Sequence, residues 1–174
     1  MKNIVKTLMA LFVVSFLVTS CGSKPTNQSA GTAKDGNEQK IEEASMKLVK
    51  AVDEGGYNLV STQDLKGWID DGKDMLIVDT MPKDSYEKNR IPGAVNAELP
   101  VKMEDVTDEQ KEAFIKALGE DKSKPVVLYC GFVGCERSHV AALIAKEQGF
   151  TEIYRQPGGI VAWMDAGYDV ESGK

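Results

Sequence analysis

PVVLYCGFVGCERSHVAALIAK, residues 125–146, places a cysteine where an apolar strand gives way to a loop and then to a helix. The β-branched run PVVLYC, opened by Pro125, reads as a buried strand, and Val140, Leu143 and Ile144 recur at helical spacing over 138–148, with Gly149 as the stop. Cys130 therefore stands at a strand's carboxyl end. A loop turning from there into a helix directs its backbone N–H groups, and the positive end of the helix dipole, at the space above the sulfur. An anion fits such a space, and a thiolate is one. Arg137 adds a fixed charge and a fork of donors at the loop's far end, so both features favour the ionised cysteine that nucleophilic chemistry requires. The competing reading is a small strand-end residue packed in the core.

Strand and helix alternate on either side of this stretch. Residues 42–52 place Ala44, Leu48, Val49 and Val52 roughly on one face, a short helix. NLVS at 58–61 reads as a strand, and Ser61 or Thr62 caps a helix through Trp68 and Ile69 that ends near Gly72. MLIVDT at 75–80 is a near-continuous apolar run, the pattern of a strand covered on both faces. A loop and the short strand GAVNAEL from Gly93 follow. Thr107 with Gln110 makes a capping box for a helix that contains Phe114, Ile115 and Leu118 and is closed by Gly119. Beyond the cysteine stretch come EIYRQ at 152–156 and a last helix, begun by Gly158 and Gly159, around Ile160 and Trp163. The order predicts an α/β fold, a mainly parallel sheet with helices on both faces, in which ligands bind beyond the strands' carboxyl ends.

The amino-terminal residues 1–20 read as an export signal: Lys2 and Lys6, an apolar stretch from Leu8 to Val18 too short to span a bilayer comfortably, then small residues before Cys21. Val18, Thr19, Ser20 and Cys21 resemble the lipobox of bacterial lipoproteins, which implies cleavage before Cys21 and lipid on its sulfur. Residues 21–40 then form a lipidated cysteine and a small, polar tether, and 41–174 one folded domain of about 135 residues. The expected location is outside the cytoplasm, held to a membrane by lipid. Losing the signal removes two lysines and no acids, so the formal charge of −6 becomes −8, which argues against a nucleic-acid partner. With Cys21 committed to lipid, only Cys130 and Cys135 of the three cysteines are left, both in one loop. That count excludes a disulfide framework and a four-ligand zinc site, since His139 alone is available to join two thiols.

Four segments, IVDT at 77–80, IPGAVN at 91–96, YCGFVGCERS at 129–138 and PGGIVAWMDAGYDV at 157–170, resemble the rhodanese family in order and spacing. The resemblance spans residues 58–170 and implies a five-stranded parallel sheet. It further implies sulfurtransferase chemistry of the thiosulfate sulfurtransferase type. A cysteine after the fourth strand attacks a small sulfane-sulfur donor, holds the sulfur as a persulfide, and passes it to a thiol, a protein or another nucleophilic acceptor. Cys130 matches that cysteine. Gly131, Phe132, Val133, Gly134, Cys135 and Glu136 match the substrate-binding cradle, and Arg137 matches the basic residue that ends it. Neither a metal nor an organic cofactor is implied. The residue chemistry agrees, since covalent catalysis needs a nucleophile whose charge is stabilised by oriented N–H groups.

Several positions depart from the family pattern. Six residues separate Cys130 from Arg137, more than in many single-domain relatives or in the related phosphatases and arsenate reductases, so the loop leaves room for a larger donor or acceptor and fits the phosphatase alternative poorly. Cys135 is either a resolving thiol, able to close a disulfide on Cys130, or a small residue packed beneath the loop. The first option also opens a non-enzymatic sulfur or redox carrier as an alternative function. Asp79 is followed by Thr80 and Met81 where the family commonly has an arginine, and Arg90 stands where a histidine is usual. Asp79, Ser138 and His139 are accessory candidates: Asp79 to hold loop backbone or a cation, or equally as a plain strand-end cap, His139 as a general base or as a residue turned elsewhere. Trp163 and Tyr168 read as packing of the last helix, and Phe132 either lines the mouth of the loop or wedges it.

Overall fold

A computed structural model describes residues 37–173. Helices α1 (Glu38–Gly55), α2 (Thr62–Asp70), α3 (Lys83–Lys88), α4 (Asp108–Leu118), α5 (Arg137–Glu147) and α6 (Gly159–Asp165) alternate with strands β1 (Asn58–Leu59), β2 (Leu76–Asp79), β3 (Val95–Asn96), β4 (Val126–Tyr129) and β5 (Ile153–Arg155). The strands form one sheet in the order β1-β5-β4-β2-β3, every neighbouring pair parallel. The expected five-stranded rhodanese-like α/β architecture is thus the observed one.

The apolar runs of β2 and β4 follow from their place at the middle of the sheet. Val78, Val126 and Leu128 point to one face, where they meet Phe114, Leu118, Val140, Ile144 and Phe150. Ile77, Val127 and Tyr129 point to the other, against Leu65, Ile91, Ile160 and Trp163. Successive side chains of a strand alternate between faces, so a strand roofed on both sides is apolar until its end, where β2 closes on Asp79.

The caps form as the sequence implies. Ser61 accepts from the Asp64 amide at the start of α2, and Thr107 with Gln110 completes the capping box of α4. The strands are shorter than their apolar runs. α1 is longer than the expected 42–52 and reaches back to Glu38, inside the stretch read as tether up to residue 40. Glu38, Gln39 and Lys40 are good helix formers, and Glu38 suits the positive end of the dipole. Ala51 and Gly55 are buried on α1 while Val49 is exposed, so the packed face runs through Ala44, Leu48 and Val52 and leaves Val49 out. α3 forms where a loop was expected: none of its residues is buried, so it carries no apolar stripe to read. The expected signal at 1–20, the lipid site Cys21 and the tether up to residue 36 lie outside the described residues.

Candidate active site

From β2 the chain steps outward to β3 at one edge, and from β4 it steps toward β5 on the other side. The order therefore reverses between β2 and β4, and a crevice opens beyond their carboxyl ends. Asp79 ends β2 opposite Tyr129, which ends β4, and Cys130 is the next residue. The sequence stretch that joins strand, cysteine and helix is thus delivered to the switch point of the sheet.

The Cys130 sulfur lies 3.3 Å from the Cys135 carbonyl oxygen and 3.3 Å from Ser138 Oγ. It is only 2 % exposed. Behind it the strand end is pinned by α6: the Ile160 and Val161 amides donate to the carbonyls of Cys130 and Gly131 at 2.9 and 3.1 Å. Gly159 makes this approach possible. Its φ is +64°, and a Cβ there would stand 2.4 Å from the Cys130 oxygen.

The two thiols influence each other's ionisation. Cys130 hydrogen-bonds Cys135, and that bond, with burial, holds the Cys130 thiol above the ordinary range. The Cys135 thiol is pulled down to about 6, first by the hydrogen bond from Cys130, then by the N–H groups of Gly131 and Arg137 and by the Arg137 charge. The sequence led us to expect the loop amides around Cys130; they reach the neighbouring Cys135 instead. A loop with six residues before Arg137 curls far enough to bring its own cysteine under its amides, helped by the turn in which the Cys135 amide donates to the Phe132 carbonyl.

The other loop residues divide into those that face the pair and those that do not. Arg137 extends a guanidinium N–H to the Leu99 carbonyl, which fixes it at the loop's end. Glu136 turns away and pairs with Lys47 of α1 at 3.5 Å. Phe132 is 57 % exposed at the loop tip, so it lines the rim and does not wedge the loop against the core. Val133 and Gly134 are half-buried, and Gly131 packs beside Met81, the residue that stands in the usual arginine position.

Asp79 acts as a cap at the end of its own strand. Its Oδ1 accepts from the Met81 amide at 2.8 Å, and Tyr129 bonds the same carboxyl. Burial raises its pKa from 3.8 to about 6. His139 faces away from Cys130: its Nδ1 meets the Tyr57 hydroxyl at 2.9 Å, and burial lowers its pKa. Arg90 is remote from the thiols and ties Glu171 and Gly173 to the domain. Trp163 and Tyr168 pack edge to face, as their reading as core residues required.

Two residues of the site escaped the sequence reading. Arg155, on β5, is fully buried and donates to Ser138 Oγ at 2.7 Å and to the Cys135 carbonyl at 2.5 Å. Tyr57, just before β1, accepts from the same guanidinium at 3.2 Å. One signal for Arg155 was present: a charged residue inside EIYRQ, where a covered strand should be apolar.

A parallel α/β sheet with a thiol at its switch point, roofed by a loop that leads into a helix, defines a cysteine-loop domain. Residues 61–166 match the family model for the rhodanese-like domain, and the chain belongs to that family. A thiosulfate sulfurtransferase, GlpE, of Coxiella burnetii is 32 % identical over 91 residues, covering 52 % of this chain and 73 % of that protein. Among solved structures, the thiosulfate sulfurtransferase of Pseudomonas aeruginosa superposes with a TM-score of 0.59 at 17 % identity, over 75 % of this chain and 23 % of that one. The polysulfide-sulfur transferase of Wolinella succinogenes superposes with a TM-score of 0.54 at 19 % identity, over 79 % and 93 % of the two chains. At those identities the structures speak for the fold.

Proposed function

We propose that this protein is a sulfurtransferase that carries sulfane sulfur as a persulfide on Cys130, works outside the cytoplasm, and is held to a membrane by lipid on Cys21. The observation that carries the reading is the Cys130 sulfur at the switch point of the sheet, within 3.3 Å of Ser138 Oγ, in a chain of the rhodanese family. The names of the relatives, which specify thiosulfate and polysulfide, point to sulfane donors.

In the proposed reaction Cys130 gives up its proton to solvent and its thiolate is the nucleophile. Its sulfur attacks the outer sulfur of the donor. The new S–S bond forms as the donor's own bond to that sulfur breaks, and the electron pair leaves with the remainder, sulfite where the donor is thiosulfate. An acceptor nucleophile then takes the outer sulfur, and Cys130 leaves as thiolate. The burial of Cys130 favours a slender donor whose sulfane sulfur is terminal, and not the larger donor that the loop length alone suggests.

The test is to treat the reduced full chain with thiosulfate and, separately, with polysulfide, and to measure intact and peptide masses. A gain of one sulfur atom on the Cys130 peptide, absent in Cys130→Ser, is the expected outcome. No gain with either donor overturns the reading.

The hydrogen bond between the thiols favours a second reading, a redox carrier. Attack of the Cys135 thiolate on Sγ of a Cys130 persulfide would form a Cys130–Cys135 disulfide and release hydrosulfide, with a dithiol reductant needed to restore the pair. Thiol titration after loading separates the two: loss of both loop thiols marks the carrier, and normal transfer by Cys135→Ser marks the transferase.

A further inference from the structure

Arg155 has no place in the reaction just described, yet it bonds three groups beside the two thiols. The guanidinium is fully buried, and among the described residues it forms no ion pair with a carboxylate. A buried charge without a partner is costly, and an arginine cannot escape the cost by losing its proton. Its nearest groups are instead Ser138 Oγ, the Tyr57 hydroxyl and the Cys135 carbonyl, each taking one of its hydrogen bonds.

Because a guanidinium only donates, it sets the direction of the bonds beyond it. Ser138 Oγ accepts from Arg155 Nε, so the serine's own hydrogen is free to point at its other neighbour, the Cys130 sulfur at 3.3 Å. The same logic runs down the other branch. The Tyr57 hydroxyl accepts from Arg155 Nη1, so its own hydrogen is free to point at His139 Nδ1, 2.9 Å away.

We propose that Arg155 is a positioning residue for sulfur transfer: it fixes Ser138 as hydrogen-bond donor to the Cys130 sulfur and supplies the buried positive charge that balances this sulfur as thiolate and as persulfide anion. The cation then has its counter-ion inside the site, formed when Cys130 ionises. Other charged groups around Cys130 are already engaged. On the β2 side Asp79 is held by Met81 and Tyr129. In the loop, Cys135 and Arg137 face each other, and Glu136 pairs with Lys47 of α1. His139 on α5 sees Arg155, Glu136, Glu54 and Lys47, and bonds only Tyr57 among the hydrogen-bonding side chains named here.

The inference rests on Cys130 as the sulfur carrier, and one experiment separates the two claims. In the full chain with Cys135→Ala, the rate of Cys130 alkylation by iodoacetamide is followed from pH 5 to pH 10 by peptide mass, so that Cys21 does not contribute. Removing Cys135 deletes the partner that raises Cys130 and leaves Ser138 as its side-chain donor. Ser138→Ala and Arg155→Met are each expected to move the midpoint up by about one pH unit, a roughly tenfold loss of thiolate near neutrality. Arg155→Lys, which keeps the charge and loses the fork, is expected to move it less than Arg155→Met. Ser138→Ala removes a single oxygen and stays informative where Arg155→Met fails to fold. An unmoved midpoint in folded Ser138→Ala overturns the proposal, as does Arg155→Lys shifting as far as Arg155→Met. Failure of the Cys135-intact parent to load sulfur counts against the sulfurtransferase reading alone.

Discussion

Asp79 carries a stability cost that pH reveals. Burial lifts its pKa from 3.8 to about 6, with the nearby Cys135 adding to the rise and the bonds from Tyr129 and Met81 opposing it. A carboxyl whose folded pKa lies above its unfolded one binds its proton more tightly in the native state. Its stabilising contribution is therefore full below about pH 4 and lost as pH rises through about 6, some 3 kcal/mol for a shift of about two units. Asp79→Asn removes that dependence while its side-chain oxygen still accepts from the Met81 amide. Urea unfolding should show the variant gaining on the parent by roughly 3 kcal/mol between pH 4 and pH 8; an equal difference at both pH values would mean that Asp79 titrates as an exposed carboxyl. At this scale the sequence exposed the residues that lie next to one another in the chain. Cys130, Cys135, Arg137 and Ser138 sit within one loop and its first helical turn, and they do meet. Arg155 and Tyr57 reach the same site from β5 and from the entry to β1, and only the pairing of β1 with β5 brings them together. His139 was misleading for a related reason: its place one residue after Ser138 turns it to the next direction around the helix, toward Tyr57.

Elements hold the loop by backbone as much as by side chain, and α6 is the clearest case. Its first amides receive the carbonyls of Cys130 and Gly131, and only a residue without a Cβ fits at Gly159, because of both its φ of +64° and the 2.4 Å approach to the Cys130 oxygen. Gly167 has a similar φ of +75° but open space around it. The two glycines separate backbone strain from collision. Gly167→Ala should cost about 1 kcal/mol and leave sulfur loading unchanged. Gly159→Ala should cost about 2–4 kcal/mol and also slow persulfide formation, since the strand end carrying Cys130 must move. Chemical unfolding and the rate of mass gain read the two effects; equal losses for both variants would rule out the collision. The PGGI segment was legible as the start of a helix, and so were the caps at Ser61 and Thr107, because those signals are local. α3 was not, since a six-residue helix that sets only Tyr86 against the core shows no period, and the far strand ends were not, since pairing stops where a neighbouring strand stops.

The whole molecule carries a net charge of −6, which sets the terms on which it meets a membrane. An acidic domain is repelled by anionic headgroups, and among the described residues no helix is long and apolar enough to cross a bilayer. The proposed attachment lies before the domain, where the apolar run ends in Val18, Thr19, Ser20 and Cys21. A single acyl chain binds a membrane only marginally, so the proposed anchor at Cys21 requires more than one chain to overcome the repulsion. Expressed at full length in a bacterium that processes lipoproteins, the parent should pellet with membranes, take up labelled fatty acid, and resist extraction by high salt. Cys21→Ser should lose the label and appear in the soluble fraction, while its Cys130 still gains sulfur in the mass assay, because the thiol pair and its Arg155 support lie wholly within residues 57–155. A parent that is unlabelled and soluble would remove the anchor and leave the sulfur chemistry standing. A membrane-bound Cys21→Ser would instead show that the uncleaved apolar segment holds the protein.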